Sequence, residues 1–329
     1  MASFAEVQAL DSHTYQGYFP NEWSIGNVPH GGFIASCFLS AAALHFTTTH
    51  AARNQPHTIT LHLSFLRRTS IGPARFTVRD LKLGRRTSTI HLALTQPDND
   101  NDDGQAPSVL GYLTQSNLGT EQGISLQTGW SLHPPPLPLL SSTTAALKSD
   151  RDPNWTRARR LSTFRKAAAR TECYLPRHGQ LAPAMADEWI RLADGGRFTQ
   201  TALGFVVDQF PQIVEMHPDA SAAATASSSG DQGADGDGRG GRSREEEEAM
   251  RRTKWYPTVL LNLEVKKALP EEGVEWLFVR VRAKRIQNGR MDLEVVVLDE
   301  EGDLVAVSDH VCLIVGAERN LKRSGQSKV

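Results

Sequence analysis

Side chains able to activate water are unevenly placed along this 329-residue chain. Between Glu22 and Asp80 there is no acidic residue, so the apolar run HGGFIASCFLSAAALHF, which starts at His30, carries no carboxylate. The comparable run of the second half, TQTALGFVVDQFPQIVEM from Thr199, carries Asp208. A carboxylate there can serve as a general base toward water. If the chemistry needs that group, each chain has one working site and one degenerate copy. His30, Gly31 and Gly32 open the first run. Free N–H groups at a helix start favour an anion or a polarised carbonyl, and glycine permits close approach. Thr258 offers a hydroxyl that can orient water.

Each residue also has a plainer reading. As a continuous helix, the second run places Leu203, Val206, Val207, Phe210 and Val214 on one stripe and Asp208 nearly opposite, as a solvated acid would be. Pro211 lacks the N–H owed to the 207 carbonyl and would kink such a helix beside Asp208. Thr258 is also an ordinary β-branched strand residue, and the two glycines also suit tight packing. No G-x-S-x-G elbow and no H-E-x-x-H helix occurs. Cys37, Cys173 and Cys312 have neither metal-ligand nor disulfide-framework spacing. The expectation is therefore chemistry with no metal and no cofactor.

The elements that would hold these groups repeat. TITLHLSF (58–65) precedes PARFTVRDLKLGRRTSTIHLALTQ (73–96), and TVLLNLEV (258–265) precedes EWLFVRVRAKRIQNGRMDLEVVVLDE (275–300). Thr58, Leu61 and Leu63 match Thr258, Leu261 and Leu263, and Gly84-Arg85 matches Gly289-Arg290. Apolar and polar residues alternate, as strands with one buried face require: Leu277, Val279 and Val281 stand on one face, with Phe278, Arg280 and Arg282 on the other. Turn-forming K-L-G-R and Q-N-G-R suit antiparallel hairpins. The segments 108–118 and 303–316 close the two halves. A helix followed by a long antiparallel sheet, twice over, is an α+β arrangement.

Two stretches break the pattern. Residues 119–170 hold SLHPPPLPLL, whose consecutive prolines exclude a sheet interior, and the basic RARRLSTFRKAAAR; they are expected to connect the halves. The basic run suits either coenzyme A phosphates or a solvated helix face. Residues 219–253 are polar, glycine-rich and acidic, and read as a disordered insert. The expected units are thus 1–118, the connector 119–170, and 171–329. A net charge of −1 gives no global attraction for nucleic acid or anionic lipid. No uncharged apolar run of about 18 residues is evident, so no membrane span is expected. The first residues do not read as a secretory signal, and a cytoplasmic protein is expected. The terminal Ser-Lys-Val approaches a peroxisomal address but ends in valine.

This layout resembles the double-hotdog acyl-CoA thioesterases (thioesterase II-like and fungal thioesterase-like proteins). The segments that carry the likeness are WSIGNVPHGGF (23–33), LHLSFLRRTSIGPARF (61–76), LGRRTST (83–89), WIRLADG (189–195), GFVVDQFP (204–211), YPTVLLNLEV (256–265) and LDEEGDLVAVSDH (298–310). The resemblance implies two helix-plus-antiparallel-sheet units in tandem, acyl-thioester hydrolysis without metal or prosthetic group, and self-association. The substrate would be an acyl-CoA or an acyl-carrier-protein thioester. It also implies a water-positioning trio, whose Asp and Thr fall on Asp208 and Thr258. The third member, a Gln in the family, falls on His310. A neutral imidazole can accept a proton where an amide cannot, or it can merely hydrogen-bond water; a plainer reading is an exposed histidine at a strand end beside Asp309. The alternatives are a hotdog-fold dehydratase or cyclase acting on a biosynthetic intermediate through an Asp/His pair, and a non-catalytic acyl-binding protein.

Overall fold

A computed structural model describes residues 5–97, 106–158, 164–209, 213–215 and 254–321. The insert expected at 219–253 and the C-terminal Ser-Lys-Val lie outside these residues. The first half contributes β1 (Val7–Ala9), β2 (Thr14–Phe19), a small hairpin β3 (Ser24–Ile25) and β4 (Val28–Pro29), and helix α1 (Gly31–Thr48). It continues with β5 (His57–Phe65), β6 (Gly72–Leu83), β7 (Ser88–Thr95) and β8 (Val109–Ser116). Then come α2 (Ala145–Lys148), β9 (Trp155–Arg157), β10 (Thr171–Pro176), β11 (Met185–Leu192) and α3 (Leu203–Val206). The last described elements are β12 (Lys254–Trp255), β13 (Thr258–Val265), β14 (Leu277–Gln287), β15 (Arg290–Leu298), β16 (Leu304–Leu313), β17 (Val315–Gly316) and α4 (Glu318–Leu321).

Both halves share one 13-stranded antiparallel sheet, ordered β1-β2-β6-β7-β8-β5-β13-β16-β15-β14-β11-β10-β9. The halves meet at β5 and β13, where Leu61 pairs Leu263, Leu63 pairs Leu261, and His62 faces Asn262. Residues 200 apart in sequence are thus related across a local two-fold centred on the 62–262 pair. Even the irregularities repeat: β5 bulges between Thr58 and Thr60, and β13 between Thr258 and Leu260. A bulge re-aims the side chain beside it, so both threonines are presented alike.

α1 is buried along most of its length, with Phe33, Ile34, Phe38, Leu39 and Phe46 in the main core. By length and composition it could cross a membrane, which corrects the expectation that no such run exists. In the fold its apolar surface is already covered, 67% of that stretch being buried against the sheet and α3. A second correction concerns the outer face of the second half. Alternation suggested that Phe278 and Arg280 face solvent, yet both are buried. The connector covers them: Leu132, Leu137, Leu139, Leu147 and Trp155 pack on Trp189, Trp276 and Phe278. Arg280 is bidentate to buried Asp187 at 2.6 and 2.7 Å and also donates to the Pro134 carbonyl. The connector thus supplies β9 and an outer layer to the second unit.

Candidate active site

α1 and α3 meet nearly backbone to backbone. A Cβ on Gly32 would lie 2.6 Å from Asp208 Cβ and 2.8 Å from the Gly204 carbonyl oxygen. A Cβ on Gly204 would lie 2.5 Å from Ser36 N. Only glycine allows this approach, which delivers Asp208 to the N-terminus of α1. The second helix is shorter than its apolar pattern suggested: it ends at Val206, and Asp208 follows in a turn whose N–H bonds the Phe205 carbonyl. On a longer helix Asp208 would stand on the outer face; because the helix stops, Asp208 is 7% exposed instead of solvated.

Several groups hold the carboxylate. The Gly32 N–H donates to Oδ2 at 2.6 Å, and His30 Nδ1 lies 3.5 Å from the same oxygen. The Thr258 hydroxyl donates to Oδ1 at 3.3 Å, and His310 Nδ1 lies 3.5 Å from it. Burial pushes the Asp208 carboxyl up. The charge of His30, the hydrogen bond and charge of His310, and the Gly32 N–H outweigh it, so the pKa lies below the ordinary carboxylate value.

A cavity of about 280 Å³ opens on this group. His30, Gly31, Asp208, Gln209 and Thr258 line it, with an apolar wall that includes Ile34, Phe65, Trp255 and Tyr256. Arg67, Arg68, Arg165 and Lys254 line it too. The structure therefore brings five of the six expected residues, Asp208, Thr258, His30, Gly31 and Gly32, together around the Asp208 carboxylate, and all of them but Gly32 line the cavity. The sixth, His310, sits behind them. It is 1% exposed, and its Nε2 is 2.9 Å from Ser308 Oγ. It touches the carboxylate and not the cavity, which excludes the exposed strand-end reading. The Gly32 N–H is committed to Asp208, while Gly31, at the first position of α1, lines the cavity.

Sequence reasoning missed Arg67, Arg68 and Lys254, which lie far from the basic run that drew attention. It also missed Gln209, whose Nε2 is 3.4 Å from His30 Nε2 and whose Oε1 accepts from Thr171. Within the basic run, Arg165 reaches the cavity while paired to Glu215 at 2.5 Å, and Arg157 pairs with Glu172. Cys312 lies 3.7 Å from the Thr258 hydroxyl, but burial, followed by the Asp208 charge, pushes its thiol well up, so it stays protonated.

The first half shows the same frame without the acid. Ser36 stands where the pseudo-two-fold would place Asp208, and its hydroxyl accepts from Phe205 N at 2.9 Å. Thr58, the partner of Thr258, accepts from buried Gln115 at 2.6 Å. The hydroxyl that serves a carboxylate in one half is tied up by an amide in the other.

The sheet that wraps a central helix in each half defines a double-hotdog α+β protein. Two matches establish the family: residues 19–116 fit the acyl-CoA thioesterase N-terminal domain, and residues 134–314 fit the acyl-CoA thioesterase C-terminal domain. The chain belongs to the acyl-CoA thioesterase family. It is 40% identical to the thioesterase-like protein TwmA of Talaromyces wortmannii, over 98% of this chain and 94% of that one. Among solved structures, it resembles a hotdog-fold protein of unknown function from Alicyclobacillus acidocaldarius (TM-score 0.66, 16% identity, 94% and 96% of the two chains). It also resembles the acyl-CoA thioesterase II TesB2 of Mycobacterium marinum (TM-score 0.56, 17% identity, 94% and 96% covered). These two likenesses concern the fold.

Proposed function

We propose that the protein hydrolyses acyl thioesters by direct attack of water activated by Asp208. The observation that carries this reading is a buried, ionised carboxylate lining the cavity beside the N-terminus of an 18-residue helix. Asp208 takes a proton from water as the oxygen attacks the thioester carbonyl carbon. Negative charge grows on the carbonyl oxygen, where the Gly31 amide and the positive end of α1 stabilise it. The C–S bond then breaks, and Asp208 returns its proton to the departing thiolate, leaving free acid and thiol. Thr258, Gly32 and His310 hold the carboxylate in place, which makes them positioning residues. His30 borders both the carboxylate and the cavity.

The cations Arg67, Arg68, Arg165 and Lys254 beside an apolar wall suit a substrate whose acyl group enters the cavity while phosphates stay outside. Coenzyme A is such a carrier, and a phosphopantetheine arm on a carrier protein is another. The test is a panel of acyl-CoAs of increasing chain length, followed by free thiol. Thiol release at the rate of acid formation is expected. Loss of water from a substrate with no thiol released would instead place the protein with the dehydratases.

A further inference from the structure

A second constellation lies at the opposite end of α1, about 20 Å from Gly32 by the rise of a helix over the residues between. His13 comes from the turn before β2, His45 from the last turn of α1, His50 from just beyond it, and Asp80 from β6. His50 Nε2 is 2.8 Å and His13 Nε2 3.2 Å from Asp80 Oδ2, and His45 Nε2 is 3.0 Å from Asp80 Oδ1. The four prospective ligand atoms all lie within 4.8 Å of one another. A tetrahedral zinc ion with bonds of about 2.0–2.1 Å separates its ligand atoms by about 3.4 Å. The three imidazole–carboxylate distances of 2.8–3.2 Å already stand close to that spacing, and the other separations, at most 4.8 Å, need only side-chain adjustment to reach it.

The far sides of two rings are braced as they are in metal sites, where the non-ligating nitrogen is held by a carbonyl or hydroxyl. His45 Nδ1 is 3.0 Å from the Ser12 carbonyl oxygen and 2.8 Å from the Tyr15 hydroxyl. His13 Nδ1 is 2.8 Å from Ser12 Oγ. All three rings thus turn Nε2 inward. His45 is fully buried, while His13 is 42% exposed and leaves a way in.

We propose that His13, His45, His50 and Asp80 form a structural zinc site that clamps the β1–β2 edge to the end of α1 and to β6. Three imidazoles and one carboxylate favour zinc over magnesium or calcium, which require mostly oxygen ligands. Four protein ligands leave no open position, so the ion holds structure and takes no part in thioester chemistry. The expectation of no metal rested on cysteine spacing and H-E-x-x-H. A ligand set scattered over 68 residues carries no such signature.

The test is titration of ZnCl2 into the chelator-treated full-length chain, by calorimetry and by melting temperature, with MgCl2 as control. One equivalent should bind and raise Tm by about 5 °C at saturating zinc, with no rise from magnesium. His50→Gln and His13→Gln, at partly exposed positions, should weaken binding at least ~100-fold and abolish the rise. On the unmodified chain, Co2+ should give the intense visible bands of a tetrahedral site and lose them to zinc, a readout that needs no variant. Absence of one-equivalent binding would overturn the proposal. So would binding and a Tm rise that survive in both variants, leaving the cluster a proton-bonded clasp.

Discussion

Replacing Gly32 by alanine is the perturbation whose size the structure sets most directly. The new Cβ would lie 2.6 Å from Asp208 Cβ, 2.8 Å from the Gly204 carbonyl oxygen and 3.0 Å from Phe205 Cα. Since carbon atoms at van der Waals contact sit about 3.5–4.0 Å apart, α3 and the turn bearing Asp208 must retreat by roughly 1 Å. Such overpacking costs about 1–3 kcal/mol. Alanine's better helix propensity returns about 1 kcal/mol, for a net loss of up to about 2 kcal/mol. The effect on turnover is larger in kind, because a misplacement of about 1 Å costs roughly 100-fold in rate. Urea unfolding would report the first effect, and kcat for acyl-CoA hydrolysis the second. A Gly32→Ala protein as stable and as fast as wild type would refute the close approach, and with it the reason why Asp208 meets α1.

Three further outcomes follow from the same geometry. Thr258→Val removes a hydrogen bond to a charged group, worth about 1.5–3 kcal/mol, and should lower kcat roughly 10- to 100-fold in steady-state assays with little change in KM. His310→Leu removes the imidazole 3.5 Å from Asp208 Oδ1 that helps hold the Asp208 pKa down while leaving the burial that raises it. The acid limb of the kcat/KM profile should therefore move to higher pH, and an unmoved limb would deny His310 its role. Asp187→Ala strands buried Arg280 and should cost about 3–5 kcal/mol in denaturant unfolding, with the cavity residues untouched.

Much of the fold was legible because a repeated sequence constrains itself. The match of Thr58, Leu61 and Leu63 to Thr258, Leu261 and Leu263 appears in the structure as equivalent registers and equivalent bulges. Strand alternation worked where one face is wet and failed at Phe278 and Arg280, where a second layer from the connector buries the outer face. At the site, the absence of acid between Glu22 and Asp80 singled out Asp208 as the asymmetric group, and the structure places it against Gly32 of α1 while Ser36 bonds Phe205 in the other half. Its burial was not legible, because helical periodicity cannot report that the helix stops at Val206 or that two glycines bring it against α1. The burial of His310 and the gathering of Arg67, Arg68 and Lys254 around the cavity are products of tertiary structure, and no local spacing encodes them.

Hydrolysis by the proposed route requires Asp208 as the base. Asp208→Asn keeps the shape and the Gly32 contact but cannot take a proton, and general-base catalysis is worth about 100- to 10,000-fold. Thiol release from the best acyl-CoA substrate, measured under single-turnover conditions, should fall by at least ~100-fold while substrate affinity stays within a few-fold. Release that continues within a few-fold of wild type would contradict the account.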